Sequence, residues 1–325
     1  MMPLKQAAPD MGSPAPNIFF VVITTALMLQ SSLGAGTIRL SYLNDEAALR
    51  ETVGILTNNG CAEESGSIFR RVVERYYAVG FDLDLSRFPE RQNGFYSFPT
   101  MLELVEALPH KLSETKHVWD FNCFETVIML AAGKLQIGLR PDENFGPFVV
   151  TTMMTNGEES VTFAATARDA FMQIYKPWYL EATESIIPRS MQDARICLTA
   201  ALFRWQLLPM ATSEATLDAE AVAALRADWR RENLKFPQQF EIVLVHNADL
   251  QAHTICTFHA GLLLHRKTGF TYLEKAGGSG PFARLDFDDR SELLQWLSAF
   301  DKGEHRYSHL IATFNDARFE KLDSR

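Results

Sequence analysis

The sequence predicts an α+β protein in which helices come first and strands follow, and three observations carry that prediction. Up to about residue 232 the chain is mostly capped, helix-forming runs; from Phe236 it breaks into short β-branched and aromatic stretches separated by turn residues. Between them, the segment NCFETVIMLAAGKL is apolar without a stripe, the mark of a helix buried on all sides. A chain of 325 residues with 47% hydrophobic content is long enough to bury a large core. Its 31 basic and 40 acidic residues leave a net charge of −9, with no basic block and no zinc-finger spacing, so nucleic acid is set aside as a partner.

Taken in order, Ile18 to Leu29 is the longest apolar run, and the small residues of QSSLGAG follow it. Only Lys5 supplies positive charge ahead of it, with Asp10 opposing. The run is short for a bilayer span and reads as an export signal over residues 1–36, against the alternative of a buried terminal strand or helix. The expected location is exported, periplasmic or extracellular, with no stable membrane span once the signal is cleaved. LNDEAALRETVGILTNNG and ESGSIFRRVVERYYAVG each have apolar spacing of three and four and a closing Gly, with Ser67 as a cap in the second. FPERQNGFYSFPT reads as loop, and Met101 to Leu108 as a short helix. The stretch from about 160 to 232 is read as a helical insertion within a single domain spanning 37–318. FEIVLVHN, HTICTFHAGLLLH and GFTYLEKAG are strands, DDRSELLQWLSAF is a helix capped near Asp289 or Ser291, and 319–325 is a polar tail.

The four cysteines, at 61, 123, 197 and 256, form no C-x-x-C pair, which excludes a metal ribbon or thioredoxin motif; in an exported chain two of them could pair. Cys123 stands where an extended segment gives way to the buried helix, a position where the helix dipole stabilises a thiolate, although a lone cysteine is more often core filling. Cys197 sits mid-helix and reads as structural. His259 heads the strand HAGLLL, and Glu274 lies on the next strand. If Leu264 and Gly269 flank a tip HRKT as a paired position, His259 faces Glu274 directly across the hairpin. A carboxylate beside the imidazole holds its orientation and tautomer, the task of a third triad member. Cys123, His259 and Glu274 are therefore the candidate nucleophile, base and orienting residue. The Cys123 N–H is a natural oxyanion donor, with Asn122 or His117 as further candidates; Asn122 also suits a helix N-cap. Trp119 is either a cleft wall or core. His253, Cys256 and His259 spell H-x-x-C-x-x-H, but on a strand the middle residue points away from the other two, so no metal site and no cofactor is expected.

Cysteine, then histidine on a strand, then a polar residue on the adjacent strand is the order of parts in papain-like hydrolases. The string HAGLLLHRKTGFTYLEKA resembles the histidine strand and third-residue strand of NlpC-type papain-like amidases. SYLNDEAALRETVGILTNNG, FNC, DWRRENLKFP, TYLEKAGGSGPFARLDF and the turn Asn315–Asp316 further resemble a family of exported bacterial proteins of unknown function that is associated with this fold, over roughly residues 40 to 316. The resemblance implies a papain-like core, a Cys-bearing buried helix on an antiparallel sheet, and a Cys-His-Glu triad. It departs from the amidases in two places: their Asp-Cys-Ser-Gly is here Asn122-Cys123-Phe124-Glu125, and the helical insertion has no counterpart in them. The function expected is an exported cysteine hydrolase acting on a peptide or amide substrate of cell-wall type. The alternatives are a non-catalytic exported binding protein on the same fold, and an acyltransferase of transglutaminase type.

Overall fold

The computed structural model describes residues 37–78, 85–108, 121–152, 160–172, 187–203, 205–251, 253–276, 280–299 and 309–322. The segment 1–36, read from the sequence as an export signal, lies outside the described residues, as do His117 and Trp119. The architecture is α+β, and every strand pairing is antiparallel.

The strands are β1 (Ile38–Ser41), β2 (Tyr96–Phe98), β3 (Asn144–Thr152), β4 (Ser160–Thr166), β5 (Trp205–Leu207), β6 (Glu241–Asp249), β7 (Thr254–His265), β8 (Phe270–Lys275), β9 (Phe282–Phe287), β10 (His309–Phe314) and β11 (Arg318–Leu322). The helices are α1 (Glu46–Asn58), α2 (Glu63–Ala78), α3 (Met101–Ala107), α4 (Cys123–Leu130), α5 (Ala167–Ala170), α6 (Arg189–Leu202), α7 (Leu217–Arg231) and α8 (Arg290–Ser298). Among the described residues no helix is long and apolar enough to cross a membrane.

One sheet runs in the order β11-β10-β6-β7-β8-β9-β1-β2, and a branch of β5, β3 and β4 joins it at β7. The branch point positions the site. The first part of β7 pairs with β5, Thr254 to Leu207 and Cys256 to Trp205, whereas from Gly261 onward the same edge pairs with β8. On the other edge the register with β6 shifts between Val245 and His246, so that Val245 faces His259 and His246 faces Thr257. His259 thus follows a bulge and lies where the two branches part. Bulges re-aim side chains and tolerate an irregular neighbour, which a regular ladder does not.

Alternation along the strands divides the core in two. Ile242, Leu244, Leu262 and Leu264 join helices α1, α2, α4, α6 and α7 in one apolar cluster. Val243, Val245, Leu263 and Tyr272 join α3 and α8 in the other. Each fully buried aliphatic or aromatic side chain contributes about 1.5–3 kcal/mol, so a sheet covered on both faces forms a rigid platform.

Several expectations are corrected. Residues 160–166 form β4, not helix; Val161, Thr162 and Thr166 are β-branched and suit a strand. Residues 319–322 belong to β11 rather than a tail, and Leu322 is buried. Ser67 lies inside α2, which begins at Glu63 with two glutamates in its first turn. The helix cap at Asp289 is present, its side chain accepting from Ser291 N–H. His253 adopts left-handed backbone, φ 50°, just ahead of β7, so it is not on the strand at all. Among the described residues no three His, Cys, Asp or Glu side chains converge to hold a metal ion.

Asn315, φ 52°, turns β10 into β11. Its Oδ1 accepts from Ile242 N–H at 2.7 Å, and its Nδ2 donates to Pro237 O and Phe240 O at 2.9 and 3.2 Å. Asn315→Ala removes all three bonds and places an alanine in left-handed backbone, so urea unfolding of this variant reports a loss of about 2–4 kcal/mol. Asn315→Gly, which relieves only the backbone cost, loses less.

Candidate active site

Cys123 is the first residue of α4. Asn122 caps the helix: its Oδ1 accepts from Glu125 N–H at 2.9 Å, while its carbonyl accepts from Thr126 Oγ1 at 2.8 Å. The capping role weighed for Asn122 is thus the one its side-chain oxygen performs. Gly133 (φ 76°) follows the C-terminal end. Glu125 is buried and receives Arg195 Nε at 2.9 Å on both oxygens, an ion pair that ties α4 to α6. The residue two after Cys123 thus serves as an internal strut.

His259 and Glu274 belong to strands paired in a different register from the one expected. Gly261, not His259, is opposite Glu274, because the hairpin closes with His265 paired to Phe270. The displacement is two residues, so His259 stays on the same face and reaches Glu274 along the diagonal. His259 Nε2 and Glu274 Oε2 are 2.7 Å apart, and both side chains are almost fully buried. A carboxylate only accepts, so Nε2 carries hydrogen and Nδ1 is the nitrogen left to face a thiol. The Cys123 sulfur interacts with the same imidazole and favours its charged form. Burial opposes protonation of His259, but the Glu274 carboxylate and the Cys123 sulfur together outweigh it and push the imidazole up to about 10.

Two residues not singled out from the sequence hold this arrangement. Trp296, on α8, donates Nε1–H to Glu274 Oε1 at 2.9 Å, so that one carboxylate oxygen is held by the indole while the other meets His259. Lys275, fully buried next to Glu274 on β8, donates Nζ to the carbonyl of Phe121, two residues ahead of Cys123, and lies over the Tyr76 and Phe282 rings at 5.3 and 5.5 Å. Strand β8 therefore grips the imidazole with Glu274 and the lead-in to the cysteine helix with Lys275. Neither was legible locally: Trp296 reads as the apolar face of a helix, and Lys275 as an exposed strand end.

Gly261 has a steric reason. A Cβ there would stand 2.3 Å from the hydroxyl of Tyr272, whose buried ring covers the gap beside Glu274. The Tyr272 hydroxyl, deep in the protein near Glu274, has its ionisation pushed well upward by burial.

The remaining cysteines are free and buried. Burial pushes the thiols of Cys61, Cys197 and Cys256 up to about 12. Cys123, although 4% exposed, belongs to neither apolar cluster. His246 is occupied on both ring nitrogens by Thr257 and Thr313, at 3.0 and 2.9 Å, and burial pushes it down to about 3, so it stays neutral and structural. A cleft of about 590 Å³ borders α4 beside Ile128, Met129 and the Glu125–Arg195 pair, but none of the three candidate residues lines it.

Trp296→Phe removes the indole donor to Glu274 and slows alkylation of Cys123 at pH 7 about tenfold, the scale of a hydrogen bond to a charged group, as read by mass spectrometry. Gly261→Ala displaces Tyr272 and lowers stability by about 1–3 kcal/mol in urea titration.

A family model described as a domain of unknown function, DUF4300, matches residues 206–317, a stretch that contains His259, Glu274 and Trp296 but not Cys123. No curated protein and no solved structure matches this chain.

Proposed function

We propose that the protein is a papain-like cysteine hydrolase that cleaves an amide bond in a peptide, with Cys123 as nucleophile, His259 as general acid and base, and Glu274 as the orienting carboxylate. One observation carries the reading: a single buried imidazole meets Glu274 at 2.7 Å and interacts electrostatically with Cys123, the first residue of a helix. The antiparallel sheet behind a buried cysteine helix supports the papain-like assignment. The apolar run near the N-terminus supports export, and with it a substrate of cell-wall type.

The chemistry runs as follows. His259 takes the Cys123 thiol proton, and the sulfur attacks the scissile carbonyl carbon, forming a C–S bond while the carbonyl electron pair moves to oxygen. The Cys123 N–H at the start of α4 has no acceptor within its helix and stabilises that oxyanion. When the oxyanion collapses, the C–N bond breaks and the amine leaves with the proton from the imidazolium. Water, deprotonated by His259, then attacks the thioester, releasing the acid and returning the proton to sulfur. An amine in place of water gives acyl transfer through the same groups. The near-complete burial of all three side chains favours a second reading, in which the fold keeps the constellation to hold a ligand without turnover.

Iodoacetamide alkylation across pH 5–9 separates the readings. The hydrolase predicts that Cys123 reacts in the folded protein at pH 6, far ahead of the other three cysteines, and that His259→Ala slows it by at least about tenfold. A Cys123 that is labelled only on unfolding, or equally fast in both proteins, removes the hydrolase and leaves the binding protein. The His259 linkage also has a direction. Because its folded value lies above its ordinary value of 6.5, its contribution to stability is complete below pH 6.5 and is lost as pH rises toward 10. Urea unfolding of the wild type therefore weakens across that window, and His259→Phe removes that part of the slope.

A further inference from the structure

Strand alternation places His259, Gly261 and Leu263 on one face of β7, and Tyr272 and Glu274 on the same face of β8. Gly261 is opposite Glu274, and Leu263 is opposite Tyr272. The Tyr272 ring leans along the diagonal onto Gly261, where an added Cβ would lie 2.3 Å from the hydroxyl and 2.4 Å from the ring carbon that bears it. The hydroxyl therefore ends level with Glu274 and on the side of His259, the next inward residue of β7. Only a residue without a side chain leaves that room.

Tyr272 is fully buried, and its hydroxyl has no hydrogen-bond partner among the described residues. Buried hydroxyls left open are rare in folded proteins, and a phenylalanine would fill the same slot without one. Val243, Val245 and Leu263, which share its apolar cluster, offer no side-chain acceptor. The Glu274 carboxylate does: Oε1 takes Trp296 and Oε2 takes His259, and each oxygen can accept a second bond. Burial, then the neighbouring Glu274 and Cys123, push the ionisation of the phenol well upward, so the hydroxyl keeps a proton to donate.

We propose that Tyr272 is a positioning residue of the site: its hydroxyl donates to the Glu274 carboxylate as a third hydrogen bond, and Gly261 is the slot that lets it do so. The assignment rests on the reading of Cys123, His259 and Glu274 as a triad. Donors from β7, β8 and α8 then hold one carboxylate from three directions, which stops it from turning. Oε2 stays against His259 Nε2, and Nδ1 is left for the thiol. Tyr272 acts through Glu274 and touches no substrate.

The test is NMR of the hydroxyl and imidazole protons of the full chain, joined to alkylation of Cys123. The wild type shows a Tyr272 hydroxyl proton protected from solvent exchange, and Tyr272→Phe lacks it. That signal moves upfield in Glu274→Gln, whose neutral amide is a weaker acceptor, and downfield in Trp296→Phe, which leaves the carboxylate one donor fewer. Should Glu274→Gln fail to fold, Trp296→Phe reads the same bond. In Tyr272→Phe, which keeps the ring over Gly261, the His259 Nε2–H signal shifts and iodoacetamide labels Cys123 about tenfold more slowly at pH 7. A hydroxyl proton that exchanges freely or ignores the changes at its neighbours would overturn the proposal, as would a Tyr272→Phe protein with the wild-type His259 signal and labelling rate. A wild-type Cys123 that is not labelled while folded removes the hydrolase reading instead, and the hydroxyl signal still decides on Tyr272, so the two failures are told apart.

Discussion

The interaction on which the rest of the site depends is the 2.7 Å contact between His259 and Glu274 inside the protein. An imidazole buried alone in an apolar sheet loses its proton, as His246 does a short distance along the neighbouring strand. His259 is equally buried, yet its carboxylate partner and the Cys123 sulfur drive it the other way. The same sheet thus holds one neutral and one charge-prone histidine, and the difference lies in whether the neighbours are threonine hydroxyls or a carboxylate. That contrast is what sets His259 apart from an ordinary core histidine.

Keeping a carboxylate and an imidazole together away from water requires the surrounding structure to fix both, because a buried charge that loses its partner is strongly destabilising. Trp296 fixes the carboxylate from α8, Tyr272 fills the space left by Gly261, and the bulge between β6 and β7 lets His259 stand where the sheet divides. From the other cluster, Lys275 grips the backbone ahead of Cys123 and Arg195 grips Glu125. The cysteine helix and the histidine strand are held by residues from opposite faces of one sheet, and strand β8 contributes to both.

The α+β class and the antiparallel strands after Phe236 were legible because hydrophobic alternation and turn residues act locally. So was the start of α4, where Asn122 offers a cap and the apolar residues that follow have no polar stripe. Hairpin register was legible only to within the face: the pairing of His265 with Phe270 instead of Leu264 with Gly269 depends on which four residues make the turn, and a shift of two leaves the same side chains inward. Strand β4 was missed because its alanines also suit a helix and it runs straight into one, and β11 because its charged residues conceal the buried Leu322. The support from Trp296 and Lys275 could not be read at all, since each acts on a residue remote from it in sequence or through a backbone carbonyl. The placement of His117 and Trp119 lies outside the described residues.

The most direct measurement is the protonation of the His259 ring itself, followed by side-chain nitrogen NMR through pH 5–10 in the wild type, Glu274→Gln and Cys123→Ser. The account predicts an imidazolium that persists well above the usual histidine range in the wild type and is lost at lower pH in each variant, while the His246 signal stays neutral throughout. A His259 that is neutral across the range, or that titrates near its ordinary value and is indifferent to both substitutions, would contradict the coupling of Cys123, His259 and Glu274.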